Sequence, residues 1–155
     1  MAIKQLTSYS FLDVNASIVG PGGSFAIGQG AGIADEGISI EMADDKDTMI
    51  IGADGTPMHS LHAGQGGTAT IRLLKISGTN NMLSTMYDLQ TASSSLWGQN
   101  TIIVSNIASG DVTTCLLAAF RRQPNNSYGK DGALMEWAFN VGRIYQLLGA
   151  GSITT

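Results

Sequence analysis

The sequence predicts a mainly β fold, a β-sandwich or barrel of about eight strands with one flanking α-helix over about residues 80–92. Three observations point there. Twenty glycines are scattered without period through 155 residues, about twice the usual density, which marks many tight turns and excludes a collagen repeat. Charged residues make up 13% and apolar residues 43%, so the missing charge is replaced by small polar residues, and a core can still be buried. Short alternating segments recur between Gly, Pro, Asn and Asp clusters, and one segment alone keeps a helical period. A single domain over residues 1–155 is the expectation at this length, with an extended N-terminal segment, a long hairpin at about 36–52 and a short C-terminal tail from Gly149 to Thr155.

The elements follow in order. Ser10 to Val19 alternates well enough for a first strand, and Gly20-Pro21-Gly22-Gly23 breaks it before a hairpin partner at Ser24 to Gly28. Ile38, Ile40 and Met42 alternate with Ser39, Glu41 and Ala43, so one face is buried and the other is open to water or a partner. Asp44-Asp45-Lys46-Asp47 reads as a polar turn, with Thr48 to Gly52 returning. Ala53 to Pro57 is a further turn in which glycine supplies the positive φ, followed by a short strand at Met58 to His62. In Thr68 to Ile76, Thr68, Thr70 and Arg72 oppose Ala69, Ile71 and Leu73.

Met82, Leu83, Met86 and Leu89 fall at i, i+1, i+4 and i+7 and make the stripe of the one helix, with Thr79 or Asn80 available as its cap. Thr101 to Ile107, with Ile102, Ile103 and Val104 in succession, reads as a strand buried on both faces, partnered by Val112 to Gln123. A surface loop spans Gln123 to Gly132. In the last strand, Leu134 to Leu147, Trp137, Phe139, Val141, Arg143 and Tyr145 share one parity.

Net charge is −4 with only eight basic residues and no basic run, which argues against a surface built to hold DNA or anionic lipid. Cys115 is the single cysteine, so neither an internal disulfide nor a cysteine zinc cage can form. The first residues lack the apolar core of a signal peptide and no stretch nears a membrane span, so the expectation is a chain made in the cytosol with no membrane anchor.

Candidate chemistry is thin. His59 and His62 near Asp54 suggest a metal site, but a separation of three on a strand sends them to opposite faces. Asp44, Asp45 and Asp47 lack the spacing and closing glutamate of a calcium loop. Cys115 sits among apolar residues without a base. Gly28-Gln29-Gly30-Ala31-Gly32 lacks the spacing of a dinucleotide fingerprint. Asn15-Ala16-Ser17 and Asn125-Asn126-Ser127 match a glycosylation pattern that means nothing without secretion. Arg121-Arg122 straddles two faces and reads as one or two rim ion pairs. No catalytic residue, metal ligand or cofactor site is expected, and the chain reads as a non-enzyme. What is left over is apolar strand surface on both parities, more than one helix can cover, and self-assembly accounts for it.

Several segments resemble one family in order. They are Tyr9-Ser-Phe-Leu-Asp-Val-Asn-Ala-Ser-Ile-Val-Gly-Pro-Gly-Gly23, the acidic stretch from Gly37 to Gly55, and Gly64-Gln-Gly-Gly-Thr-Ala-Thr-Ile-Arg-Leu-Leu74 with the Asn80-Asn81-Met82-Leu83 helix start. Ala119-Phe-Arg-Arg-Gln-Pro124, the Tyr-Gly-Lys-Asp loop and Glu136-Trp-Ala-Phe-Asn-Val-Gly-Arg143 complete the set. Together they resemble the tail tube proteins of contractile-tailed bacteriophages, whose fold is shared with type VI secretion tube proteins.

The resemblance implies a structural virion protein whose six-fold rings stack helically into the inner tube of the tail. Four strands per subunit would make an inner barrel of about 24 strands, with a backbone diameter of about 48 Å and a lumen near 38 Å, wide enough for duplex DNA. Implied partners are further copies of the chain, the tail sheath protein outside, the tape measure protein and then genomic DNA in the lumen, and baseplate and tail terminator proteins at the ends. Assembly would take place in the host bacterial cytoplasm.

A neutral or acidic polar wall would let DNA pass, and Ser39, Glu41, Thr68, Thr70 and Arg72 are the candidates for it, Arg72 needing a carboxylate neighbour or else facing a subunit interface; the alternative is that all five are ordinary outward strand positions. Asp44, Asp45, Lys46 and Asp47, with Tyr9 and Phe11, are the candidates for contacts between rings or subunits. The alternative is the tube of a phage-derived contractile particle or type VI secretion system. A more distant one is a small β-barrel ligand-binding module, which would need an aromatic-lined pocket.

Overall fold

The computed structural model describes residues 4–5, 8–28, 30–149 and 153–154. In chain order come β1 (Lys4–Gln5), a 3-10 turn (Phe11–Asp13), β2 (Val14–Gly20), β3 (Gly23–Ala26), β4 (Ile33–Met42), β5 (Asp47–Ile51), β6 (Pro57–Leu61) and β7 (Gly67–Leu73). After α1 (Thr79–Gln90) and a second 3-10 turn (Ser94–Leu96) follow β8 (Asn100–Asn106), β9 (Asp111–Arg122), β10 (Met135–Leu147) and β11 (Ile153–Thr154). Seven strands form one antiparallel sheet in the order β3-β2-β8-β9-β10-β7-β4, curled into a half-barrel. The N- and C-terminal segments named from the sequence fall largely outside the described residues; their strands β1 and β11 pair with each other.

The curl lets one face of the sheet enclose α1. Ile18, Ile102, Cys115, Phe120, Trp137, Phe139, Ile71 and Leu73 meet Leu83 and Met86 of the helix in one core. Phe120 is its hub, with ring centroids 4.7 Å from Phe139, 5.8 Å from Trp137 and 5.4 Å from Tyr87, the last edge-on. Each such fully buried side chain contributes about 1.5–3 kcal/mol.

The helix lies as expected, but its buried face is turned. Thr79, Leu83, Met86 and Gln90 are buried, while Met82 and Leu89 of the expected stripe remain about two-fifths exposed. Gln90 accounts for the turn. Its side chain and that of Asn100, both fully buried, exchange hydrogen bonds of 2.7 and 2.9 Å, and Gln90 Nε2 also donates to the Pro21 carbonyl. Gly20 leaves room for this pair, because a Cβ there would overlap the Asn100 amide. At the other end the N-cap residue offers no side chain, and the Ser77 hydroxyl accepts from the first helical N–H, that of Thr79, at 3.2 Å. Gly78 occupies the N-cap position, and Asn80 instead accepts from the Trp137 indole N–H at 3.0 Å and donates to the Leu74 carbonyl. Two side-chain amides thus pin both helix ends to the sheet.

The long hairpin is differently built from the reading of residues 36–52. β4 pairs with β7, β5 pairs with β6, and the turn is at Ala53 to Thr56. β4 and β7 both have an inward apolar row, Ile38 and Ile40 against Ile71 and Ala69, so each buries the other's. Backbone bonds Ala43 N to Gly66 O and His62 N to Lys46 O carry the ladder onward, and β5–β6 prolongs the β4–β7 pair past the end of the sheet. Asp44 to Asp47 therefore form the base of this ribbon, not its tip.

Two strands shift face midway. In β9 the buried residues are Thr113 and Cys115, then Ala118 and Phe120; in β10, Trp137, Phe139 and Val141 are followed by Ile144, leaving Arg143 and Tyr145 outside. A bulge against β8 inserts one residue at Leu116–Leu117. Leu117 has φ 55°, a left-handed conformation usually left to glycine. Gly142 faces it, and a Cβ there would come within 2.9 Å of the Leu117 Cβ. β8 is buried on one face only: Ile102 is fully buried and Ile103 is 40% exposed.

Candidate functional site

The outer face of the sheet brings together all five residues expected to line a lumen. Cross-strand rows run Ser39–Thr70–Ala138 and Glu41–Thr68–Asn140 across β4, β7 and β10. Arg72 stands opposite Glu136, with Nε 3.8 Å from its carboxylate, and donates to the Ser39 hydroxyl at 2.9 Å. With Glu136 well exposed, the pair contributes at most ~1 kcal/mol.

The strands of these rows, and their neighbour β9, also carry basic residues. All four arginines of the chain, Arg72, Arg121, Arg122 and Arg143, lie on β7, β9 and β10. Arg121 and Arg122 are both exposed and have no carboxylate within 4 Å among the described residues, so the rim ion pairs expected of them are not formed. They border a cleft of about 290 Å³ with Pro124, Leu134, Glu136 and Ala138.

The ribbon carries the other candidates. Asp44, Asp45 and Lys46 are exposed at its base and Asp47 opens β5. Asp47 receives the His59 Nδ1 contact at 2.9 Å, Lys46 donates to the His62 carbonyl, and His62 Nε2 meets the Thr48 hydroxyl at 2.7 Å. The two histidines thus have separate partners, and no cluster able to hold a metal occurs among the described residues. At the tip, Asp54 accepts from the backbone N–H of Thr56; this bond and the Thr56 hydroxyl hold its carboxyl below its ordinary value of 3.8. Met49, Ile50, Ile51, Met58 and Leu61 are all more than half exposed.

Tyr9 and Phe11 lie elsewhere, at the mouth of the half-barrel. They line an open groove of about 520 Å³ with Ile33, Ile38, Val104 and Leu148. The Gln123–Gly132 loop is tied down: Lys75 donates to Asn126 and to the Ser127 carbonyl and sits 4.1 Å from the Tyr128 ring centroid. Cys115 is buried, and burial pushes its thiol up to about 11, which suits core packing and not nucleophilic attack.

Sequence reasoning missed the outer apolar set of Ile103, Val112, Leu117, Tyr145 and Leu147, each at least two-fifths exposed. The signal was present as apolar residues on both strand parities, but the face shift at Leu117 and Gly142 scrambled which residues belonged to which face.

A curled antiparallel sheet, one helix pinned inside it and a bare ribbon extending it define a β-rich structural module. The fold is shared with chains of contractile injection systems. Over 92% of this chain and 93% of the other, it matches a chain of the extended-state sheath-tube complex of an extracellular contractile injection system (PVC), with TM-score 0.59 and 12% identity. A chain of the sheath/tube terminator of that system matches with TM-score 0.54 and 15% identity, over 92% and 99% of the two chains. The tube-terminating cap of the anti-feeding prophage matches with TM-score 0.53 and 10% identity, over 94% and 96%. No protein with a curated description matches the sequence. Residues 6–149 match the model of the bacteriophage PhiTE tail tube protein family. The chain belongs to that family and is a tail tube protein, a structural component of the phage tail.

Proposed function

We propose that six copies of this chain close into a ring and that rings stack into the inner tube of a contractile tail, the conduit through which the genome leaves the capsid. The observation that carries this reading is apolar surface with no cover among the described residues, on the ribbon and on the outer sheet face. Burying such faces between copies is the general solution for a sheet that a single helix can cover on one side only.

In this reading the polar rows Ser39–Thr70 and Glu41–Thr68 face the lumen, where Arg72 is neutralised by Glu136 and does not hold phosphate. Tyr9, Phe11 and the ribbon residues Asp44 to Asp47 make contacts between subunits or rings. The sheath surrounds the tube, a terminator and the baseplate close its ends, and the tape measure protein occupies it before DNA does. Assembly takes place in the host cytoplasm, and the chain has no catalytic task. The family match over residues 6–149 favours a phage tail over an injection particle.

Negative-stain electron microscopy of the purified chain across a concentration series tests the reading. Rings or hollow tubes with a bore of about 40 Å are expected. A chain that stays monomeric at every concentration refutes it.

A further inference from the structure

The sheet is electrostatically polar along its strands. At one end, where Met42 of β4 and Val141 of β10 flank Gly67, the ribbon leaves the sheet. Residues 43–62 carry four aspartates, Asp44, Asp45, Asp47 and Asp54, against the single Lys46. At the opposite end, where Leu73 of β7 pairs with Met135 and Arg122 of β9 pairs with Ala138, lies the cleft bordered by Arg121 and Arg122. The ribbon pairs with no strand of the main sheet, and neither arginine has a carboxylate within 4 Å among the described residues, the cleft's own Glu136 being set against Arg72.

We infer that the cleft at the arginine end of one copy receives the tip of the β5–β6 ribbon from a second copy in the adjacent ring, with Asp54 set against Arg121 and Arg122. This contact rests on the tube reading and specifies how one ring grips the next. Three observations converge on this occupant. The charges are complementary. The two surfaces are at opposite ends of the strands, so joining them is a head-to-tail contact that leaves each copy with a free donor and a free acceptor, the geometry of an open stack. The ribbon also has the form of an insert: its five paired residues project about 17 Å, and its tip, Ala53-Asp54-Gly55-Thr56, has no large side chain to obstruct entry.

The tip is prepared for this role. Gly55 at φ 88°, the Gly52–Thr56 backbone bond and the Asp54–Thr56 bond fix its shape before docking, so little order remains to be imposed on binding. The cleft is equally set, because Pro124 and Leu134 give it apolar walls beside the two guanidinium groups. A carboxylate entering between two arginines there forms charge-assisted hydrogen bonds in a partly desolvated site, a stronger contact than an exposed pair.

Charge reversal at each end and at both ends tests the contact, using the full chain, electron microscopy and sedimentation at about 0.15 M salt. Asp54→Arg alone and Arg121→Glu with Arg122→Glu are each expected to raise the critical concentration for tubes about tenfold or more. The variant carrying all three changes is expected to return to within about threefold of wild type. All these side chains are exposed, so circular dichroism and melting temperature should be unchanged; if a reversal does lower the melting temperature, Asp54→Asn and Arg122→Gln are scored in the same way.

Wild-type tubes indifferent to reversal at either end overturn the contact and leave the tube reading standing. So does failure of the folded triple variant to regain assembly, since the two ends then act with other partners. A wild-type chain that never leaves the monomer overturns both.

Discussion

The inner face of β10 and the β5–β6 ribbon are built from similar material and meet opposite fates. Trp137, Phe139 and Val141 are at most 5% exposed, whereas Ile50, Ile51 and Met58, also strand residues with apolar side chains, are 56–61% exposed. Propensity does not distinguish them, because both stretches form well-paired antiparallel ladders. The difference is whether the chain itself supplies a covering surface. α1 and the curl of the sheet cover the first; nothing among the described residues covers the second. An isolated two-stranded ribbon is marginal in water, so residues on it are better suited to a partner than to the monomer's own stability. In the proposed tube, folding and assembly therefore fall to separate residues, and substitutions can pull the two apart.

The largest effect on the monomer belongs to the Gln90–Asn100 pair, the polar element of the covered side. Gln90→Leu leaves the Asn100 amide buried without its two partner bonds and is expected to cost about 1–3 kcal/mol. Replacing both by leucine should recover part of that loss, since no buried amide is then left unpaired. Chemical denaturation of the two single variants and the double one measures the coupling. Equal costs for single and double variants would show that packing, and not amide pairing, holds the helix end.

A smaller effect of opposite sign is expected at Leu117, where the two sides meet. Its left-handed backbone is strained for any residue with a Cβ, by about 1–2 kcal/mol, and its side chain is 58% exposed. Leu117→Gly relieves the strain and gives back part of the gain as chain entropy, so the isolated chain should gain about 0.5–1 kcal/mol, read as a higher denaturation midpoint. A loss above 1 kcal/mol would mean that Leu117 supports the core. Strain retained at an exposed apolar residue is consistent with selection on the outer face for something other than folding.

Much of this was legible in the sequence, and its limits are physical. The alternation in β7 named Ala69, Ile71 and Leu73 as core and Thr68, Thr70 and Arg72 as outer, which the structure keeps. Period two fails where the backbone changes face, and a leucine standing where a bulge usually has glycine hid the shift in β9 and β10. The helix stripe was misaligned because a buried glutamine counts as polar in any periodicity, and only Asn100, ten residues on, makes it a core residue. The turn at Asp44 to Asp47 was plausible locally. Pairing of β4 with β7, some thirty residues away in sequence, is a long-range fact that local patterns do not contain. The outer-face position of the polar rows was legible; the arginine cleft was not, because two adjacent arginines say nothing of which side chains fold around them.

The smallest effect on stability is expected to accompany the largest on assembly. Ile50 and Met58 face each other across the ribbon, both more than half exposed and neither in the core. Changing both to threonine keeps a residue that favours strands at each position and removes apolar surface that the monomer hardly buries. Unfolding free energy of the monomer should change by no more than about 0.5 kcal/mol. Tube formation, followed by light scattering, should nonetheless fall sharply, because in the proposed tube each ring-to-ring contact loses the same two side chains and the loss repeats around the ring. Tubes that form at the wild-type concentration would show that the ribbon is exposed in the assembly too, and the division between folding and assembling residues would then rest on the outer sheet face alone.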